Sequence, residues 1–174
     1  MGQKQILISL RNTIAYSHNF SPIKLKIDSG FCSPEVATIP IFNPVIPSLG
    51  EIPGGLYPGK NLYIRGQITG NDMFNINIQS GAAVKPRDDT LLHISLRPAS
   101  KLIVFNTYIS GEWQQEEQER KVRIAKSKPF EMLIKVKKSH YTIKIDGKKI
   151  YKFTHRLVIH VGEGGVIESI TEKA

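Results

Sequence analysis

Apolar and polar residues alternate repeatedly along this chain, and no long segment keeps a 3.6-residue period. Phe74-Asn75-Ile76-Asn77-Ile78-Gln79 alternates strictly, which predicts a strand with Phe74, Ile76 and Ile78 facing a core. Leu91-Leu92-His93-Ile94-Ser95-Leu96-Arg97 does the same. Leu92, Ile94 and Leu96 would face inward. His93, Ser95 and Arg97 would share the opposite face, about 6–7 Å between successive members. Further strands are predicted over 61–65, 101–107, 115–124, 130–137, 141–145, 148–153 and 165–170. Asp146-Gly147 lies between two such runs and predicts a tight hairpin turn. Short strands punctuated by turn signals mean an all-β fold, an antiparallel two-sheet sandwich. There is no internal repeat or low-complexity run.

The first 37 residues read differently. Gln5 to Ala15 has no clean period, and only Ile23-Lys24-Leu25-Lys26-Ile27 alternates, enough for one short strand. Ser29-Gly30 and Ser33-Pro34 interrupt it. Residues 1–37 are therefore expected to be an appendage of unassigned role, and residues 38–174 the domain. Six of the ten prolines fall between Pro34 and Pro58, and a prolyl nitrogen cannot donate to a ladder, so extended coil or edge strand is expected there. A turn-rich stretch follows at Pro53-Gly54-Gly55-Leu56-Tyr57-Pro58-Gly59.

The net charge of +9 is unevenly spread. Between Arg120 and Arg156 stand thirteen Lys or Arg against only Glu131 and Asp146. Such a run can attract nucleic acid, acidic glycans or anionic membrane. A solvated outer sheet face is the commoner role, and no nucleic-acid partner is expected. A single cysteine, Cys32, excludes an internal disulfide framework and is expected to be a free thiol. Ile6 stands where myristoylation wants Ser or Thr. The apolar run from Ile6 to Leu10 is too short for a signal peptide or a span, so no membrane span and a cytoplasmic location are expected.

The chemistry collects between residues 91 and 118. One imidazole (His93), one guanidinium (Arg97), one amide (Asn106) and one carboxylate (Glu116) fall there, with the only tryptophan, Trp113, in a polar run. These groups can read fixed hydroxyls, and an exposed indole can cover an apolar ring face. A pyranose offers both. No nucleophile with an adjacent base and no suitable carboxylate pair is visible, so no enzymatic activity is expected. His18, His140, His155 and His160 show no metal-ligand spacing, and no metal or other cofactor is expected.

At these positions the chain resembles the galectins, the β-galactoside-binding lectins. Their motif runs His-x-Asn-x-Arg, Val-x-Asn and Trp-x-x-Glu-x-Arg. Here the pieces read His93-Ile94-Ser95-Leu96-Arg97, Val104-Phe105-Asn106 and Trp113-Gln114-Gln115-Glu116-Glu117-Gln118. The Pro-Gly-Gly-hydrophobic segment at Pro53 is also similar to the start of galectin domains. The resemblance covers roughly residues 38–174. It implies a jelly-roll of the galectin and concanavalin kind and β-galactoside-containing glycans as partners. It also implies that His93 and Arg97 hold the axial 4-hydroxyl of galactose, Asn106 and Glu116 its 6-hydroxyl, and Trp113 its ring. Single galectin domains often act as dimers and leave cells without a signal peptide, so a homodimer and export are further implications.

Two motif positions depart. Ser95 replaces an amide with a shorter group that still donates and accepts, which implies weakening of the 4-hydroxyl contacts. Gln118 replaces an arginine that in the family touches the second sugar and pairs with the motif glutamate. Losing one hydrogen bond to a charged group costs about 1.5–3 kcal/mol, or about tenfold or more in affinity. The alternative function is a non-sugar interaction domain on the same scaffold, working through its basic outer strands.

Overall fold

A computed structural model of the chain describes backbone and side chains for residues 50, 52, 55–68, 73–81, 83, 87–121, 124–125 and 128–156, and backbone alone for strands at 4–9, 24–28, 41–42, 48–49, 51, 157–161 and 167–172. Cys32, the breaks at Ser29-Gly30 and Ser33-Pro34 and most of the proline-rich run lie outside the described residues. The strands in chain order are β1 (Lys4–Ser9), β2 (Lys24–Asp28), β3 (Ile41–Phe42), β4 (Ser48–Glu51), β5 (Asn61–Gln67), β6 (Phe74–Gln79), β7 (Thr90–Arg97), β8 (Leu102–Ile109), β9 (Glu112–Trp113), β10 (Glu117–Glu119), β11 (Pro129–Val136), β12 (His140–Ile145), β13 (Lys148–Thr154), β14 (Leu157–Val161) and β15 (Ile167–Glu172). Among the described residues no helix is long and apolar enough to cross a membrane.

One sheet runs β10-β8-β7-β6-β1-β4, with β9 also paired to β8; the other runs β13-β12-β11-β5-β2-β3. Strands β14 and β15 pair with each other. The sheets meet face to face because each carries an apolar row on one side. Ile76, Ile78, Leu92, Ile94, Leu96, Ile103 and Phe105 come from the first sheet, and Leu62, Ile64, Met132, Ile134, Val136, Tyr141, Ile143 and Phe153 from the second. Phe105 stacks on Tyr151 across the gap, with ring centroids 4.3 Å apart and planes 7° from parallel. Among the described residues the buried apolar side chains form one cluster, the arrangement that alternation predicts for a sandwich.

The all-β expectation holds, with local differences. β1 lies parallel to both β4 and β6, whereas every other pairing is antiparallel. It precedes the hairpin-connected strands and reaches its slot through a long connection, as parallel pairing requires. The expected strand near Lys24 is present as β2, but the segment that forms β1 had no clean period and was not predicted as a strand. The strand expected over 115–124 is only Glu117–Glu119, and Trp113 belongs to a separate pairing with Tyr108. The chain leaves the ladder between them because the Asn106 side chain binds the Gln114 carbonyl at 2.8 Å. The Asp146-Gly147 turn is present, with φ of 49° and 78°, the left-handed pair that suits a two-residue hairpin.

A Phe105→Ala variant removes the ring that both fills the interior and faces Tyr151. It is expected to lose about 3–5 kcal/mol of stability, read as a lowered urea midpoint at unchanged m-value.

Candidate functional site

β7 is the centre of the site. Burying Leu92, Ile94 and Leu96 between the sheets forces His93, Ser95 and Arg97 onto the outer face of the first sheet. Register does the rest. His93 pairs with Asn106 on β8 and with Asn77 on β6, while Ser95 pairs with Val104 and Asn75. Tyr108 pairs with Trp113, which brings the indole to the end of the same face. All seven residues singled out by sequence therefore lie on one sheet or the loop between β9 and β10.

Trp113 is the only large hydrophobic side chain exposed among the described residues, at 46% of its surface. It is braced from several sides. The His93 ring meets it edge-on at 4.7 Å and the Tyr108 ring at 5.2 Å. The Arg87 guanidinium sits 5.3 Å from the indole centre, a cation–π contact. Arg87 is delivered by a loop in which Asp88 accepts the Ala83 amide at 2.7 Å and Asp89 accepts the Ser110 amide at 2.9 Å. A Cβ at Gly81 would lie 2.1 Å from the Asp88 carboxylate and would displace it from this position.

The polar groups form an array of three hydrogen-bonded sets, built around His93, Arg97 and Asn106. Asn77 Oδ1 lies 2.6 Å from His93 Nδ1. An amide oxygen only accepts, so we assign the proton to Nδ1, which leaves Nε2 as an acceptor. Burial, then the Arg87 and Arg97 cations, push His93 down to about 4, with Glu116 opposing them. His93 is thus a neutral imidazole near neutral pH. Arg97 donates from Nε to Ser95 Oγ at 3.3 Å and from Nη2 to Glu116 Oε2 at 3.2 Å. Glu116 Oε1 accepts from Gln118 Nε2 at 3.2 Å, and Gln118 Oε1 accepts from Arg120 at 3.1 Å.

Asn106 is nearly fully buried and held from three directions. Its Oδ1 accepts from the Thr107 amide at 2.8 Å and from Arg156 Nη1 at 3.1 Å, while Nδ2 donates to the Gln114 carbonyl. One Nδ2 hydrogen remains for any ligand. Arg156 also donates to Glu117 Oε1 at 2.7 Å, and Tyr151 donates to the other oxygen of that carboxylate at 2.8 Å. Burial first, and that bond, push the Tyr151 phenol up to about 12, so it stays a donor.

Sequence reasoning missed Asn77, Arg87 and Arg156. Asn77 was visible as a polar position in an alternating strand, but not as the neighbour of His93. Arg87 and Arg156 carry no local signal; only the folded chain brings them to Trp113 and Asn106. Ser95 is buried beneath Arg97 instead of lying open on the face. Its short side chain lets the guanidinium lie over it.

Comparison with known proteins bears on the family and the fold. The family model described as galactoside-binding lectin matches residues 47–163. Galectin-8 of Rattus norvegicus is 34% identical over 119 residues, covering 67% of this chain and 38% of its own length. A 32 kDa beta-galactoside-binding lectin of Haemonchus contortus is 32% identical over 117 residues, covering 67% of this chain and 41% of its own. The chain spans 38–41% of the length of these two relatives. Sheep galectin-11 in complex with glycerol superimposes with a TM-score of 0.54 at 21% identity, over 59% of this chain and 76% of that one, a likeness of fold.

The depressed His93 pKa has a measurable consequence. The folded ring binds its proton near pH 4 and the unfolded ring near 6.5. The unfolded state therefore binds more protons between those values, and stability must fall as pH falls through that window. The contribution is full above about 6.5 and lost as pH drops through about 4. Urea unfolding of wild type and His93→Gln across pH 7 to 4 should show wild type losing ground to the variant. Parallel curves would contradict the neutral, buried imidazole.

Proposed function

Since the chain belongs to the galactoside-binding lectin family, the galectins, we propose that this face binds the terminal or near-terminal galactose of β-galactoside glycans. The observation that carries the reading is convergence. A half-exposed indole and the side chains of His93, Arg97, Asn106 and Glu116 border one patch: His93 meets Trp113 at 4.7 Å, Arg97 bonds Glu116 at 3.2 Å, and Asn106 stands beside His93 in the strand register. The apolar face of the hexose covers Trp113. Its axial 4-hydroxyl donates to His93 Nε2 and accepts from Arg97. Its 6-hydroxyl accepts the free Nδ2 hydrogen of Asn106 and donates to Glu116. The assignment of these hydroxyls follows the family's pattern, and the donor and acceptor valences here support it. Glucose, with its 4-hydroxyl equatorial, leaves His93 Nε2 and the guanidinium without partners, the basis of selectivity.

Ser95 acts by orienting Arg97 and does not itself reach the sugar. Gln118 keeps the contact to Glu116 but brings neither fork nor charge to a second sugar. Affinity is therefore concentrated in the galactose ring. The reading assigns binding and no catalysis. It takes residues 38–174 as the domain and residues 1–37 as an appendage that adds a backbone strand to each sheet. Galectin likeness supports a homodimer and a cytoplasmic protein open to export; a monomer mass in sedimentation would remove the dimer.

Calorimetry with lactose should give a saturable response in wild type. In Trp113→Ala it should be at least about tenfold weaker, about 1.4 kcal/mol. No response to any galactoside at millimolar concentration would overturn the proposal. Gln118→Arg is expected to raise lactose affinity while leaving methyl β-galactoside unchanged, because the added fork acts only on the second sugar. Equal gains for both ligands would show that position 118 acts through Glu116 instead.

A further inference from the structure

The outer face of the second sheet, turned away from the hexose site, is a lattice of lysines. Register lays them in rows across β11, β12 and β13. Leu133, Lys144 and Lys149 form one row, and Lys135, Thr142 and Lys152 the next. Lys137 and Lys138 extend the lattice at the β11–β12 turn. Neighbouring rows stand about 6–7 Å apart and neighbouring strands about 4.8 Å. None of these six lysines has an ion-pair partner among the described residues. The nearby acids are committed elsewhere: Glu131 pairs with Arg65, and Asp146 accepts the Glu131 amide.

Two features show that this is not merely a polar sheet surface. Strict alternation along β13 would put Lys149 on the same side as Tyr151 and Phe153, toward the interior. A register shift beside Lys144 leaves Ile150 as the extra residue and turns Lys149 outward, directly across from Lys144. Like charges facing each other across strands are destabilising. The fold thus sets two cations side by side, a repulsion that a bound anion relieves. The second feature is His140, whose pKa is lowered by desolvation first and then by the cations of Lys152, Lys149 and Lys137, three members of the lattice.

We infer that this face binds a linear sulfated polysaccharide, independently of the hexose site on the opposite sheet. The choice of polyanion follows from what the face lacks. Single-stranded nucleic acid is held on exposed aromatic platforms, and membrane-surface elements insert large apolar side chains. The only such exposed side chain among the described residues is Trp113, on the other sheet. Lysines interrupted only by the half-buried Leu133 and its β5 neighbour Tyr63 suit a chain whose sulfates recur along its length and whose binding is mainly charge. With the two faces pointing apart, one molecule can hold a galactoside and a polyanion together.

Heparin serves as the probe, with the full chain and its Lys144→Glu/Lys149→Glu variant. Wild type should bind heparin with steep salt dependence, unchanged by saturating lactose or by Trp113→Ala. The double variant should bind about tenfold or more weakly. Without heparin, the thermal midpoint of Lys144→Gln/Lys149→Gln should equal or exceed that of wild type, because that pair removes the facing charges, whereas the Glu pair again sets like charge against like. Lys144→Gln/Lys149→Gln, which only removes charge, should weaken binding by a smaller factor. The inference is overturned if both variants bind heparin as wild type does, or if lactose displaces heparin. It is also overturned if an oligonucleotide or phosphatidylserine vesicles bind as tightly at the same salt. Because heparin is the readout, failure of galactoside binding would leave this inference standing, and the reverse holds too.

Discussion

The burial of one row of β7 is the constraint on which the rest depends. Leu92, Ile94 and Leu96 are almost without solvent contact, so the strand has one allowed register. A slip by one residue would send His93, Ser95 and Arg97 into the apolar interior and place the leucines in water. The same register fixes the neighbours: Asn77 on one side of His93, Asn106 on the other. The hydrophobic core therefore specifies the polar face from the other side of the same sheet.

What that face can do is set by how fully its members bind one another. Glu116 anchors two donors, Arg97 and Gln118. Asn106 has both acceptor sites filled and a single hydrogen to offer. Such preorganisation leaves few side-chain rotamers to freeze when a ligand arrives. The array also spans the sandwich. Arg156, which follows the last strand of the opposite sheet, donates to Asn106 and to Glu117, and Tyr151 on that strand donates to Glu117 while stacking on Phe105. Closure of the two sheets is thus a condition for the orientation of Asn106, and core and site are mechanically linked.

Much of this was legible in the sequence wherever period and partner coincide. Strand β6, strand β7 and the Asp146-Gly147 hairpin could be read because alternation and turn chemistry are local properties. Trp113 could be read as exposed because its neighbours are polar. Other features lacked a local signal. β1 has no clean alternation and is placed by parallel neighbours distant in the chain. The interruption between β9 and β10 comes from a side chain, Asn106, taking a backbone carbonyl eight positions away. Arg87 and Arg156 matter through contacts that only the tertiary fold creates. Ser95 was read as a shorter group on the face of His93 and Arg97, and its bond from the Arg97 guanidinium is a contact that alternation does not reveal. The outward turn of Lys149 depends on a bulge, which a period of two cannot express.

The central claim is geometric: an indole and four polar side chains from neighbouring strands surround one hexose. A crystal structure of the full chain with lactose tests it most directly. The account predicts galactose lying over Trp113, with its 4-hydroxyl within hydrogen-bond distance of His93 Nε2 and Arg97. Lactose seated elsewhere, or galactose on this face with the 4-hydroxyl pointing to solvent, would contradict it.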